Sequence, residues 1–408
     1  MVPDRRVVVG AVVGSALLVS APVVVDALRQ AWMGRPKVAS RMRSPDWWLH
    51  RMAVMQQRVR EIAPAALEAV AAALASLCVY RICCPSRPKA PQRDPWKVAM
   101  EGVNLAELSP SQFWHRLERV FQPPHTLARA ETFRPSAGDI VTLTTPKTGQ
   151  TWLIAQLRML SLGKRDVAHS QLAAKVSAEG DGVPWLEHPA SSQAIDAPQP
   201  GQFRIFKSHL LLRRAREMVD ACPDARFITC LRAPHDVTLS FFTHMRGVWA
   251  KRCNGGDAAP FDAAFSPSSF ALAGLPSQYE DNLLDWLELK DRPNVLIMWY
   301  EDMVADSLGA LRTLAAFVGA PLDAGLEESV LEVTSYATMA SSPAFGNVFP
   351  GGGTYGRGRS TLSPEAVAAV DERWRKVIDK TGAHSYEALY SELHGGSAFP
   401  FHADPQKS

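Results

Sequence analysis

Three absences narrow the chemistry of this chain. It has almost no charge imbalance: among 408 residues, 44 Lys and Arg face 41 Asp and Glu, a formal charge of +3. So even a balance argues against nucleic acid bound through bulk electrostatics. Cysteine is scarce, limited to Cys78, Cys83, Cys84, Cys222, Cys230 and Cys253. The last three show no metal-ligand spacing and the set forms no dense disulfide framework, which favours a reducing compartment. There is also no GxxxxGK[ST] loop, and no clear acid follows an apolar strand. A nucleotide kinase or NTPase therefore lacks its machinery here.

What is present divides the chain. Residues 7–25 carry no charge, follow Arg5 and Arg6, and are just long enough to span a bilayer as a helix. The same pattern suits a signal peptide. Next come Arg29, Arg35, Lys37, Arg41, Arg43 and Arg51 against only Asp26 and Asp46, which suits a juxtamembrane anchor or part of an organelle address. A second, alanine-rich apolar stretch, 63–82, is interrupted by Glu68 and Arg81, and Cys83-Cys84 beyond it are candidates for palmitoylation. Residues 85–95 form a Pro-rich polar linker. The expected organisation is a targeting or anchor region with its linker (1–95), a catalytic domain (96–395) and a tail (396–408). An uncleaved first segment, with basic excess after it, predicts membrane association with the domain facing the cytoplasm. Cleavage instead sends the domain to the secretory pathway or an organelle.

From about residue 130, short apolar runs alternate with helical patterns. Strands are expected at 140–143, 203–207, 225–231 and 294–299. Helices are expected at 151–162, 211–221, 235–245, 281–289, 307–318 and 364–381. The alternation predicts an α/β fold with a largely parallel central sheet flanked by helices, P-loop-like, behind an N-terminal apolar extension. Ligands of such sheets bind at strand C-terminal ends.

Three motifs fall at those ends. TTPKTGQTW, 144–152, joins the first strand to the first helix. Helix-start amides lack internal partners and sit at the positive end of the helix dipole, so they stabilise an anion. Lys147 adds a full charge. Because Lys147 precedes Gly149, the loop is not the usual ATP or GTP one; taken alone, it also suits an ordinary turn with a solvated lysine. In FRIFKSHL, 203–210, Lys207 and His209 are two apart in extended chain and face the same side. Histidine is the natural general base near neutral pH. In CLRAPHDVTLS, 230–240, Arg232 sits at a strand tip and Ser240 about two turns into a helix, which suits a second phosphate. An Arg232–Asp236 ion pair is the competing reading.

This ordered set resembles the cytosolic-type sulfotransferases, which use 3′-phosphoadenosine 5′-phosphosulfate (PAPS). The resemblance rests on PKxGxTW, the Lys-x-His-Leu strand end and RxPxDVxxS. It continues through VPWLE at 183–187, YEDM at 300–303 and TSYATM at 334–339, and covers roughly 130–380. It implies that Lys147, Thr148, Gly149, Gln150, Thr151 and Trp152 bind the 5′-phosphosulfate, with Trp152 packing on adenine. Lys147 would neutralise the leaving oxygen, Lys207 would support the sulfuryl group or leaving group, and His209 would take the acceptor's proton. Arg232 and Ser240 would hold the 3′-phosphate, and Tyr300, Thr334 and Tyr336 would line the adenine site. The transfer requires no metal.

Two departures stand out. Gln150 replaces the family's usual Thr, exchanging a hydroxyl contact to phosphate for an amide. The closing Arg-Lys-Gly…Gly-x-Trp-Lys segment becomes GGGTYGRGR, 351–359, with Gly358 in place of Trp. Its backbone amides, with Arg357 and Arg359, are expected to wrap the 3′-phosphate instead. Trp185, Phe241, Phe242 and Trp249 either line an apolar, aromatic acceptor pocket or belong to the core. The leading expectation is a sulfotransferase acting on a small apolar or aromatic molecule, without nucleic acid. The alternative is a non-catalytic nucleotide-binding or membrane scaffold that kept the fold.

Overall fold

The computed structural model describes residues 94–167, 182–189, 194–276, 279–342, 355–397 and 399–400. The chain divides into two compact units, Met1–Gln92 and Arg93–Ser408. The apolar stretches 7–25 and 63–82, and Cys83-Cys84, lie outside the described residues. Among the described residues, no helix is long and apolar enough to cross a membrane.

Four strands build one sheet: β1 (Ile140–Leu143), β2 (Ile205–Ser208), β3 (Arg226–Leu231) and β4 (Val295–Trp299). All pair in parallel, in the order β2-β1-β3-β4. Their starts differ from expectation by no more than two residues. The chain leaves β1 towards β2, then crosses back to β3 on the other side. The C-terminal ends of β1 and β3 therefore flank a topological switch point, where ligands of such sheets bind.

The helices that matter below are α1 (Pro110–Phe121), α2 (Gln150–Leu162), α3 (Leu212–Ala221), α4 (Pro234–Cys253), α5 (Tyr279–Leu287), α6 (Tyr300–Ala305), α7 (Ser307–Val318), α8 (Ala324–Val333), α9 (Arg357–Thr361), α10 (Pro364–Ile378) and α11 (Tyr386–Leu393). Strand alternation sorts the core. Ile140 and Ile228 face α2, α7 and α8 through Leu153, Leu314 and Val330. Val141 and Phe227 face the other way, onto Leu212, Met218 and Trp286 of α3 and α5. Apolar residues on both faces are what a buried parallel sheet requires.

Five of these helices escaped the sequence reading: α1, α6, α8, α9 and α11. The first carries a capping box, Ser109 with Gln112, and Pro110 at its first position, a start signal visible in sequence. Helix α4 runs on to Cys253 instead of stopping at Met245. Gly247 costs a helix about 1 kcal/mol, and burial of Trp249 and Ala250 beyond it offsets that.

Gln150 corrects an expectation. Its side chain turns into the sheet, away from an amide contact to phosphate. Nε2 donates to the Thr142 carbonyl at 3.0 Å, to Thr142 Oγ1 at 3.1 Å and to the Ser208 carbonyl at 2.9 Å. The first residue of α2 thus ties the ends of β1 and β2 together. Gln150→Ala removes this shared donor and should cost about 1–3 kcal/mol of stability. Denaturant unfolding of the full chain measures this, and an unchanged midpoint would contradict the assignment.

Candidate active site

The loop after β1 is shaped by two left-handed residues. Gly149 has φ 109°, and a Cβ there would meet Tyr300 Cδ2 at 2.9 Å. Lys147 has φ 75°, the one non-glycine with positive φ among the described residues. Such a conformation is uncommon for a side-chain-bearing residue and persists where its surroundings enforce it. Here they do: Thr148 Oγ1 donates to the Thr145 carbonyl at 3.0 Å, and Cys230 Sγ to the Thr148 carbonyl at 2.9 Å. The Thr148 hydroxyl is therefore spent inside the loop. The amides of Thr148, Gly149, Gln150 and Thr151 donate no hydrogen bond among the described residues. Four open donors at a helix start are an anion seat.

Three cations surround it. Arg232, just beyond β3, donates Nη1 to the Lys147 carbonyl at 3.2 Å and lies over the Tyr300 ring at 4.1 Å. Lys207 Nζ lies over the Trp185 ring at 4.0 Å. Burial, then the charges of Arg232 and Lys207, push the Lys147 ammonium down to about 7. Burial lowers Lys207 to about 8 against the opposing pull of Glu187. Clustered cations that resist their own charge are a site built for an anion.

His209 adjoins them. Its Nδ1 is 2.7 Å from the Thr144 carbonyl, so Nδ1 carries the proton and Nε2 is left as an acceptor. Its backbone N–H donates to the Glu187 carboxyl. Burial first, then Lys207 and, more weakly, Lys147, hold the imidazole's protonation well below the usual histidine range, with the Thr144 bond opposing. The neutral form of the ring is favoured.

Trp185 reaches His209 through backbone pairing. Lys207 N–H donates to the Pro184 carbonyl at 2.8 Å and Leu186 N–H to the Lys207 carbonyl at 2.9 Å, docking this segment beside β2. The Trp185 ring meets His209 edge-on at 5.2 Å. Two aromatic neighbours were missed from sequence. His188 stacks on Trp185 at 5.0 Å, and Phe121 of α1 lies 5.9 Å away. His188 is pushed down to about 4 by burial, then by Lys207 and Arg252. Its adjacency to Glu187 in VPWLE was the available signal.

The other expected residues divide. Trp152 and Tyr300 meet at 6.1 Å beside the loop. Thr151, Ser240 and Tyr336 are half-buried, whereas Thr334 is buried with its hydroxyl donated to the Val330 carbonyl at 2.7 Å. Phe241, Phe242 and Trp249 sit in a tight aromatic cluster with Phe261 and Phe270, as core. That corrects Phe241 and Phe242 as acceptor contacts, because their surfaces are already covered.

The closing segment also differs from expectation. Asp236 does not pair with Arg232. Its carboxylate accepts the Gly356 N–H at 2.6 Å and the Gly358 N–H at 2.7 Å. Those amides face a carboxylate and not a phosphate. A Cβ at Gly358 would come within 2.3 Å of the His235 backbone, so no Trp fits there. Arg359 forms a two-pronged pair with Asp371 of α10, at 2.8 and 2.9 Å, which corrects it as a phosphate ligand. Gly351, Gly352 and Gly353 lie outside the described residues.

The sulfotransferase domain family matches residues 137–393, from just before β1 to the end of α11. Sulfotransferase 2B1 of Mus musculus is 23% identical over 294 residues, covering 70% of this chain and 80% of that protein. The 3-beta-hydroxysteroid sulfotransferase of Cavia porcellus is 25% identical over 205 residues, 49% of this chain and 66% of that protein. The fold is similar to that of retinol dehydratase, solved with retinol and PAP: TM-score 0.50, 16% identity, covering 67% of this chain and 95% of the other. The family match spans the sheet, the loop, the histidine strand end and the Arg232 tip, and the chain belongs to the sulfotransferases, the PAPS-using enzymes its motifs resemble.

Proposed function

We propose that the sulfuryl group of PAPS passes in line to a hydroxyl or amine of a small apolar or aromatic acceptor, with His209 taking the acceptor's proton. The hydrogen bond from His209 Nδ1 to the Thr144 carbonyl carries this reading. It supports Nε2 as the proton acceptor and ties the base to the first residue of the anion-binding loop. The loop suits a 5′-phosphosulfate through its open amides and the glycine cradle at Gly149.

The acceptor's oxygen or nitrogen forms a bond to sulfur as the bond from sulfur to the bridging oxygen breaks. The electron pair leaves with 3′,5′-diphosphoadenosine (PAP), and the acceptor's proton goes to His209 Nε2. Lys147 neutralises the charge that gathers on the bridging oxygen, a stabilisation that grows towards the transition state. Lys207 supports the sulfuryl oxygens, and Arg232 with Ser240 holds the 3′-phosphate. Trp185, with His188 and Phe121 around it, offers an aromatic wall beside the base. The Cavia porcellus relative is named for 3-beta-hydroxysteroids, apolar molecules with a hydroxyl.

Two outcomes test the reading. His209→Ala should lower the rate of radiolabelled sulfuryl transfer across an acceptor panel by about 10²–10⁴-fold. PAP affinity should stay within about twofold of wild type, so that lost chemistry is separated from lost binding. The second test is pH. Free Lys147 loses its proton at about 7, and the bound phosphates of PAP restore it. Binding above that pH must take up a proton, so the PAP dissociation constant should rise with pH, by up to about tenfold per unit. Calorimetry from about pH 6 to about pH 9 reads this directly. A flat profile would remove Lys147 from the donor site.

A further inference from the structure

The Arg232 tip is held from behind by groups that no substrate contact requires. Tyr279, at the start of α5, accepts the Arg232 N–H at 2.8 Å and donates its hydroxyl to the Arg232 carbonyl at 2.5 Å. One phenol satisfies both backbone groups of the residue. The next amide, Ala233 N–H, goes to Glu301 Oε1 at 2.8 Å, and Tyr386 donates to Glu301 Oε2 at 3.2 Å. All three side chains are buried and come from three elements, α5, α6 and α11. The arrangement answers a local problem. Strand β3 ends at Leu231 and α4 begins at Pro234, so Arg232 and Ala233 have left one hydrogen-bond ladder without entering the next. Buried polar backbone needs partners. A flexible guanidinium stem is also only as well placed as the backbone that carries it. Here that stem must reach both the Lys147 carbonyl and the Tyr300 ring.

We propose that Tyr279, Glu301 and Tyr386 are positioning residues for the donor nucleotide, fixing the Arg232–Ala233 turn so that the guanidinium meets the donor's 3′-phosphate. They act through Arg232 and touch no substrate. The proposal rests on Arg232 being a ligand of that phosphate, so Arg232→Ala is measured beside the network variants.

Calorimetry would compare PAP with adenosine 5′-phosphate, which lacks the 3′-phosphate. Tyr279→Phe is expected to raise the dissociation constant for PAP about tenfold, and that for adenosine 5′-phosphate by no more than about twofold. In an Arg232→Ala background the same substitution is expected to add nothing, because its effect travels through the lost guanidinium. Tyr386→Phe should give a smaller loss of the same pattern, and it serves if Tyr279→Phe does not fold. Glu301→Gln keeps an oxygen for the Ala233 N–H and should retain near-normal selectivity. Equal losses for both nucleotides, or full additivity with Arg232→Ala, would make the network merely structural and overturn the proposal. An Arg232→Ala variant that binds PAP as tightly as wild type would overturn the reading of Arg232 and the proposal with it.

Discussion

The pairing of β1 with β2 is the constraint on which the site depends. Leu143 sits opposite Ser208, and Thr144 N–H donates to the Ser208 carbonyl at 3.2 Å. One residue further along each strand, the Thr144 carbonyl meets the His209 ring. The anion loop grows from one strand end and His209 from its neighbour, so their separation is a matter of sheet register. A slip of one residue would turn Lys207 and His209 to the opposite face. Gln150 guards against this by bonding to both strands at once.

Charge is the second organising theme. Lys147, Lys207 and Arg232 lie close together, and the nearest carboxylates serve other duties. Glu187 accepts the His209 amide, Glu301 the Ala233 amide, and Asp236 the amides of Gly356 and Gly358. Each acid is engaged with backbone, although Glu187 also pulls on Lys207. Burial first lowers both lysines' affinity for their own protons, and at Lys147 the charges of Arg232 and Lys207 add to it. Burial, reinforced by Lys207, likewise disfavours the charged form of His209 beside the anion seat.

Much of this was legible in sequence, because strand-end motifs combine local pattern with local chemistry. The loop Lys and Gly, the Lys-x-His pair and the strand-tip Arg each occupy a place fixed by neighbours along the chain. What was not legible depends on distant residues. Gln150 reads as a loop polar group, yet its acceptors include a carbonyl on β2. Phe241 and Phe242 follow the second-phosphate motif, yet residues from α1 and from 261–270 cover them. Asp236 lies four residues after Arg232 and still finds its partners more than a hundred residues away. Tyr279 carries no motif, and its importance comes from backbone that other elements leave unsatisfied.

The Asp236 carboxylate also bears on the order in which the molecule assembles. It closes a loop of 120 residues with two hydrogen bonds. Closing so long a loop is costly in chain entropy, and two bonds alone do not offset it. The contact therefore depends on the packing of α4 against α9 and α10. The anion loop, by contrast, closes within a few residues of β1 and needs only β2 and β3 beside it. The anion seat is thus built from short-range chain, whereas the Asp236 contact spans 120 residues. In synthesis, a chain emerging as far as β4 already carries the loop and the histidine, while the glycine amides that Asp236 captures are still to be made.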